Sequence, residues 1–191
     1  MQTGNGLTMA QRRAEARDEE SIESCIAEGY SGALIACPDF VLSTLALSVN
    51  QLVERAISPL GLSVRAYRLL RMLLVDGRQR QSAIGAALGI DRTTVVALVD
   101  ELEAPGAVKR ERDPHDRRSY DIVLTAKGKR LALNAIGRVS AAEATMFGPL
   151  SEQEKQDLQS LATRLLAERG PIADRAREEY AAPRSRRAAT S

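Results

Sequence analysis

The sequence has little of the chemistry from which metal centres and nucleophilic active sites are built. Its 191 residues include one histidine, His115, and two cysteines, Cys25 and Cys37, with no CxxC pair and no GxxxxGK or GxGxxG phosphate loop. Zinc sites use several Cys and His side chains at short spacing, and phosphate loops depend on their glycines. We therefore expect no enzyme, no metal and no cofactor, although an active site built from carboxylates alone stays open.

Aromatic residues are also scarce, at 3% with no tryptophan, which excludes a large surface for stacking single-stranded bases. Long apolar runs are missing too, because the stretch 40–53 is interrupted by Ser, Thr, Asn and Gln and is too polar to cross a membrane. No apolar block follows Arg12 and Arg13, as it would in a secretory signal. We expect a cytoplasmic protein in which both cysteines are reduced.

The net charge of +2 conceals segments of opposite sign. Residues 1–38 contain three basic and six acidic residues, whereas residues 77–130 contain eleven basic and eight acidic ones. Residues 181–191 add three arginines and no acid. Such shifts in charge mark boundaries. We predict a polar acidic extension over 1–38, partly helical or disordered, a folded domain over 39–168, and a basic, largely disordered tail over 169–191.

Apolar residues recur at helical spacing through the first half of the folded domain. Helices are predicted over about 39–57, between Ser63 and Gly77, over about 81–88, and from Asp91 to about 104. Asp39, Ser63 and Asp91 are residue types that cap helix starts. Gly77 and Gly89 suit the turns that end helices. The domain therefore begins as a series of helices joined by short turns.

After the fourth of these helices the apolar period changes from that of a helix to that of a strand. The stretch 107–112 reads as a charged edge strand, 113–118 as a turn, and 119–124 as the returning strand. The apolar residues of the returning strand share one face: Tyr120, Ile122 and Leu124. The pattern predicts a small β-hairpin.

Two more helices are predicted after the hairpin. Thr125 caps a long helix that runs to about Phe147, and Ser151 with Glu154 has the spacing of a capping box for a last helix to about residue 168. An apolar seam follows the last helix: Leu158, Leu161, Leu165 and Leu166. The fold class is therefore mainly α with a small β-hairpin wing.

Two short helices, a tight glycine turn and a charged hairpin together predict a winged helix-turn-helix over about 60–124. In the second of the two helices, four apolar residues fall on one face and point to the core: Val95, Leu98, Val99 and Leu102. The opposite face is left for a partner. In a DNA-binding domain the first part of that face enters the major groove.

Side chains on and beside this outer face suit contacts with duplex DNA. The predicted DNA-binding residues of the two helices are Gln81, Ser82, Arg92, Thr93, Thr94, Val96 and Ala97. Hydroxyl groups bond phosphates or bases, arginine neutralises a phosphate or reads guanine, and small apolar groups pack on thymine methyls. Asp100 and Glu103 share the face, which keeps open a winged helix that binds protein instead of DNA.

The tip of the hairpin supplies the second group of candidate contacts. Arg117 and Arg118 lie in the turn, and Asp116 is placed to orient one of them. A cationic tip can reach a minor groove, whose narrow A·T regions attract arginine. A solvated charge cluster is the alternative for a tip of this composition taken alone.

Three stretches of the sequence resemble the MarR family of transcriptional regulators. They are residues 90–110, the Asp-Pro-His-Asp-Arg-Arg run 113–118, and Ile-Val-Leu-Thr-Ala-Lys-Gly over 122–128. The resemblance covers about 39–168. It implies a homodimeric winged-helix protein, with dimerisation helices over about 39–57 and 125–168, that binds palindromic DNA and often represses transcription.

The resemblance also implies roles for single residues. It puts Thr93, Thr94 and Val96 on the recognition helix and makes Arg118, supported by Asp116, the arginine of the wing. Many relatives have Ser and Arg where this chain has Val96 and Ala97, so the base preference is expected to differ.

Release of DNA by a small ligand or an oxidant is a further implication of the resemblance. Asn50, Tyr67 and Arg68 are candidates for binding an anionic or phenolic ligand, with a surface arginine and a core tyrosine as the alternative. The missing tryptophan argues against urate. Cys37 lies roughly where peroxide-sensing relatives carry a reactive cysteine, so a redox-sensing regulator is a second possibility, beside an incidental cysteine.

Overall fold

The computed structural model describes residues 8–112 and 120–168, and the chain divides into two compact units, Met1–Ser140 and Ala141–Ser191. The helices are α1 Met9–Ala27, α2 Gly32–Ile35, α3 Pro38–Ile57, α4 Val64–Asp76, α5 Gln81–Leu88, α6 Arg92–Glu103, α7 Ala126–Met146 and α8 Glu152–Glu168. The strands are β1 Gln79–Arg80, β2 Val108–Arg112 and β3 Tyr120–Leu124, and a short 3-10 helix covers Ser58–Leu60. The fold class predicted from the sequence, mainly α with a small β wing, is confirmed.

Helix starts follow the capping residues in most cases. The amide of Ala66 donates to Ser63 Oγ at 3.1 Å, and the amide of Thr93 donates to Asp91 Oδ1 at 2.9 Å. The expectation that Asp39 caps α3 is wrong, because Cys37 precedes the helix and Pro38 opens it. Proline suits the first helical position because its ring presets φ and the missing N–H needs no acceptor there.

The sheet is antiparallel, with β3 between the two other strands. Strand β2 lies at the edge, as predicted, and pairs with β3 from Val108 opposite Leu124 to Arg112 opposite Tyr120. Strand β1 was not predicted. Its two residues pair with Ile122 and Asp121 of β3, and a two-residue strand has no period that a sequence pattern can reveal.

The core of the first unit is formed by α3 to α7 with strands β2 and β3. Its largest fully buried side chains are Ile57, Leu69, Leu70, Ile84, Leu102, Ile122, Val95, Val99, Val108 and Val139. All four α6 residues predicted to face inward are buried. The inner face of α6 is therefore committed to the core, and the first half of its outer face is exposed in the part of the chain that the structure describes.

The turn from α6 to β2 is tied to the start of α7. Gly106, at φ 74°, donates its amide to Glu103 O at 2.8 Å, and the amide of Ala107 donates to Leu102 O at 2.9 Å, the two bonds of a Schellman motif. A Cβ on Gly128 would collide with the carbonyl of Ala107. The Leu-Thr-x-x-Gly motif thus ends in a glycine because the backbone of this turn lies against α7.

The second unit contains the end of α7 and all of α8. The predicted capping box is present, since Ser151 N donates to Glu154 Oε2 at 2.6 Å and Glu154 N donates to Ser151 Oγ at 3.3 Å. The leucines of the predicted seam are exposed: Leu158, Leu161, Leu165 and Leu166. Leu165 exposes 65% of its surface, so this apolar stripe is left open by the residues that the structure describes.

In the part of the chain that the structure describes, no single helix is long and apolar enough to cross a membrane. Helices α5 and α6 reach that length and apolar content only when taken together, and a bend of 107° separates them.

Candidate nucleic-acid interface

A sharp turn joins α5 to α6 and sets their relative direction. Gly89 adopts a left-handed conformation at φ 64°, and the amide of Ile90 donates to Gly85 O at 3.0 Å. The two helices are bent by 107°, within the range of helix-turn-helix units. The local sequence therefore builds the arrangement in which the second helix, α6, can enter a groove, and we call α6 the recognition helix.

Asp91 organises the first turn of the recognition helix. Its Oδ1 accepts the amides of Thr93 and Thr94, and its Oδ2 accepts the Thr94 hydroxyl at 2.5 Å. The hydrogen bond from the Thr94 side chain, followed by the backbone bonds, lowers the pKa of Asp91 below its ordinary 3.8. Thr94 is thus half-buried and engaged by the cap, whereas Thr93 is exposed.

The remaining predicted DNA contacts lie at the surface of α5 and α6. Arg92 and Ala97 are exposed, and Val96 exposes 37% of its surface. Ser82 is exposed at the start of α5, and Gln81 beside it is half-buried. The beginnings of both helices therefore present polar or small apolar side chains to solvent, as contact with a groove requires.

Arg110 of β2 neutralises the acidic end of the recognition helix. Its guanidinium bonds Asp100 Oδ1 at 2.6 Å and also bonds Glu103, while the amide of Arg110 donates to Glu103 Oε1 at 2.9 Å. Partial burial opposes the charged form of Arg110, but its hydrogen bonds and attraction to the two carboxylates outweigh this and raise its pKa. The acids that argued for a protein partner are therefore already paired within the chain.

A second ion-pair cluster secures the other side of the hairpin. Arg78 lies 3.1 Å from Glu111 and 3.6 Å from Asp121, and Lys109 lies 2.5 Å from Glu111. The hydrogen bond from Lys109, with attraction from Lys109 and Arg78, lowers the pKa of Glu111. Sequence reasoning missed both clusters, because their partners are brought together only by the pairing of the strands and the packing of β2 against α6.

The predicted wing-tip residues Asp116, Arg117 and Arg118 lie outside the described residues. Their role stays a prediction. The strands that lead to the tip, β2 and β3, are both described.

The structure brings two of the three predicted ligand residues together. Arg68 of α4 donates to Asn50 Oδ1 of α3 at 2.9 Å, and both side chains are exposed. Tyr67 is 4% exposed, and its hydroxyl accepts a hydrogen bond from Arg71 at 3.2 Å. Arg68 and Arg71 share a helix face one turn apart, so an anion could meet two guanidinium groups there.

Cys37 is exposed and lies at the N-cap position of α3. Its thiol donates to the carbonyl of Ala33 at 3.3 Å. Within residues 8–112 and 120–168, no group of three or more His, Cys, Asp or Glu could hold a metal ion.

Comparison with known proteins gives consistent matches. A family model described as MarR family matches residues 60–119. The chain is 31% identical over 127 residues to the HTH-type transcriptional regulator PecS of Dickeya dadantii, a match that covers 65% of this chain and 76% of PecS.

Other curated relatives align over similar lengths. A transcriptional repressor of Mycobacterium bovis is 28% identical, with 81% of it covered. The chain spans only 63% of a relative from Thauera aromatica.

Two solved structures are similar in both sequence and fold. A MarR-family transcriptional regulator from Rhodococcus sp. RHA1 has 34% identity and a TM-score of 0.64, with 71% of this chain and 96% of that chain covered. CouR from Rhodococcus jostii RHA1, solved bound to p-coumaroyl-CoA, has 33% identity and a TM-score of 0.62, with 71% and 95% covered.

Proposed function

The chain belongs to the MarR family of transcriptional regulators, and on that premise we propose that it is a homodimeric repressor that binds a palindromic duplex operator. A small anionic or phenolic ligand releases the DNA. Regulation of transcription, without enzymatic activity, is common to its relatives.

The outer face of the recognition helix is the observation that carries the DNA-binding part of the proposal. Arg92, Thr93, Val96 and Ala97 are exposed along its first half. In its second half, Asp100 and Glu103 are paired with Arg110. The half that enters the groove is therefore free of carboxylates other than the Asp91 cap. Arg92 and Thr93 would contact phosphates or bases, and Val96 and Ala97 would meet thymine methyls.

The dimer is proposed from apolar surface that is exposed within residues 8–112 and 120–168. Four leucines of α8 are exposed, and so are Val41, Leu42 and Leu47 of α3. An isologous two-fold interface between copies would bury such stripes. It would also present two recognition helices at about 34 Å, the spacing of half-sites one DNA turn apart.

The wing is proposed to add a minor-groove contact beside the recognition helix. Arg118, with Asp116 orienting it and Arg117 next to it, would sit in the groove that adjoins each half-site. The paired strands β2 and β3, and the ion pairs made by Arg110 and Glu111 of β2, support this part of the proposal because they fix the strands that lead to the tip.

The ligand is proposed to meet α3 and α4. Arg68, held by Asn50, would pair with an anionic group, Arg71 would reinforce it, and the buried Tyr67 would form the floor beneath. The ligand in the CouR structure, p-coumaroyl-CoA, is an anionic phenolic thioester. It is therefore a suitable first probe for release of DNA by this protein.

The proposal is tested by fluorescence anisotropy with the full chain and duplex DNA from upstream of its own coding sequence. We expect tight binding that weakens steeply as salt rises, because phosphate contacts release counterions. Addition of p-coumaroyl-CoA, with coenzyme A alone as control, tests release. Absence of any preference for upstream over unrelated duplex would overturn the proposed function.

A further inference from the structure

Arg110 links the wing to the recognition helix through two points on that helix. We propose that it is a positioning residue that sets the rotation of α6 about its own axis, and so decides which side chains face the bases. This inference rests on the DNA-binding function proposed above. It assigns Arg110 a part in specificity without a contact to DNA.

The contacts span one turn of the helix. The guanidinium reaches Asp100 with one nitrogen and Glu103 with the other, and the Glu103 carboxylate also accepts the amide of Arg110. The buried inner face already holds α6 against the core, and two polar contacts a turn apart on its outer face further oppose rotation about its axis. Because the Arg110 amide that donates to Glu103 belongs to the backbone of β2, this hydrogen bond fixes the helix relative to the strand itself.

The burial of Arg110 distinguishes it from arginines that bind phosphate. Its side chain is only 22% exposed, and both of its ends are turned to carboxylates. Arg112, two residues further along the same strand, is exposed. An arginine meant for phosphate stays open to solvent, and Arg112 therefore serves as the matched control with equal charge on the same strand.

Removing the charge of Glu103 should change the affinity for specific DNA in the direction opposite to the one that simple electrostatics predicts. Glu103 carries a negative charge on the helix that would approach phosphates, so its removal should strengthen binding if charge alone mattered. If Glu103 holds Arg110 and the helix in register, removal should instead weaken binding to the specific site. Glu103→Gln keeps the size of the side chain and distinguishes the two cases.

The test measures affinity for an operator and for an unrelated duplex, each over a range of salt. Arg110→Met should lower the ratio of the two affinities about tenfold, the value of one misaligned base contact, and leave the salt slope unchanged. Arg112→Met should weaken both affinities alike and reduce the salt slope by about one. Arg110→Lys should restore the ratio only partly, because an ammonium does not form the planar two-point contact.

Glu103→Gln should lower operator affinity without lowering affinity for unrelated duplex. Amide hydrogen exchange of the free protein gives a readout without DNA. In both Arg110→Met and Glu103→Gln, the amide of residue 110 should exchange faster than it does in Arg112→Met. Unchanged exchange would overturn the linkage.

The two proposals fail in different ways. If the wild-type protein prefers no duplex, both fall. If it binds an operator, but Arg110→Met behaves like Arg112→Met or Glu103→Gln tightens operator binding, the positioning role alone is overturned.

Discussion

The winged region buries its apolar residues, whereas helix α8 exposes them. In the winged region, residues such as Leu70, Val99 and Ile122 are fully buried against one another. Along α8, Leu161 and Leu165 expose half or more of their surface. The winged region completes a core within one chain, whereas α8 carries a surface of the kind that marks contact with another chain. The contrast teaches that the winged region packs within one chain and that the proposed pairing of two copies depends on α8.

The largest effect is expected from placing charges in the exposed leucine stripe of α8. Leu161→Asp combined with Leu165→Asp places charges in the proposed interface and should leave a monomer. Operator affinity should fall about 100-fold or more, because two linked half-site contacts become one. Sedimentation velocity and anisotropy measure the two effects. Gln156→Asp, an exposed α8 position, is the control, and a double variant that stays dimeric would refute this use of the stripe.

Packing within the chain is disrupted most directly by a substitution at Gly128. Gly128→Ala drives a methyl group into the Ala107 carbonyl and to 2.8 Å from Leu124 Cδ2, which should lower the free energy of unfolding by about 3 kcal/mol. Gly137 lies in the same helix with open space around it, so Gly137→Ala should be neutral or stabilising by up to about 1 kcal/mol. Urea denaturation compares the two, and equal stability would contradict the close packing of α7 on the turn.

A smaller effect is expected at the tip of the wing, which is proposed to contact DNA. Arg118→Ala should weaken operator binding by about 1–3 kcal/mol while leaving the thermal midpoint unchanged, because a wing-tip arginine contributes to the complex and not to the core. Lys155→Ala on α8 is the control for loss of one positive charge. A matched loss of affinity in both variants would show that only net charge matters.

The smallest effect is expected from the Asp91 cap at the start of the recognition helix. Because the native pKa of Asp91 lies below its ordinary 3.8, the cap stabilises the helix above that value. The stabilisation is lost as the pH falls through the lower native pKa. Amide exchange at Thr93 and Thr94 should therefore speed up only in acid, and Asp91→Asn should remove this pH dependence. An unchanged profile in Asp91→Asn would assign the effect to another group.

Local signals explain what the sequence could predict. The caps at Ser63, Asp91 and Ser151 involve residues two or three positions apart, and all are observed. The inward face of α6 follows from helical spacing alone, so its four buried residues were predicted correctly. At the start of α3, the preference of Pro38 for the first helical position prevailed over the capping tendency of Asp39.

Long-range pairing explains what could not be predicted. Alternation puts Tyr120 on the inner face of β3 with Ile122, yet Tyr120 is 41% exposed and Asp121 is 7% exposed. Arg78, a distant residue, partners the buried carboxylate. Arg110 likewise meets Asp100 across ten positions of sequence. Charges in the sequence indicate possible partners, but only the packed hairpin chooses among them.

Selection from a pool of random duplexes with the full chain is the most direct test of the account. A dimer that presents two intrachain recognition helices should enrich an inverted repeat whose half-site centres lie about 10 base pairs apart. Enrichment of an asymmetric motif, or of none, would contradict the account.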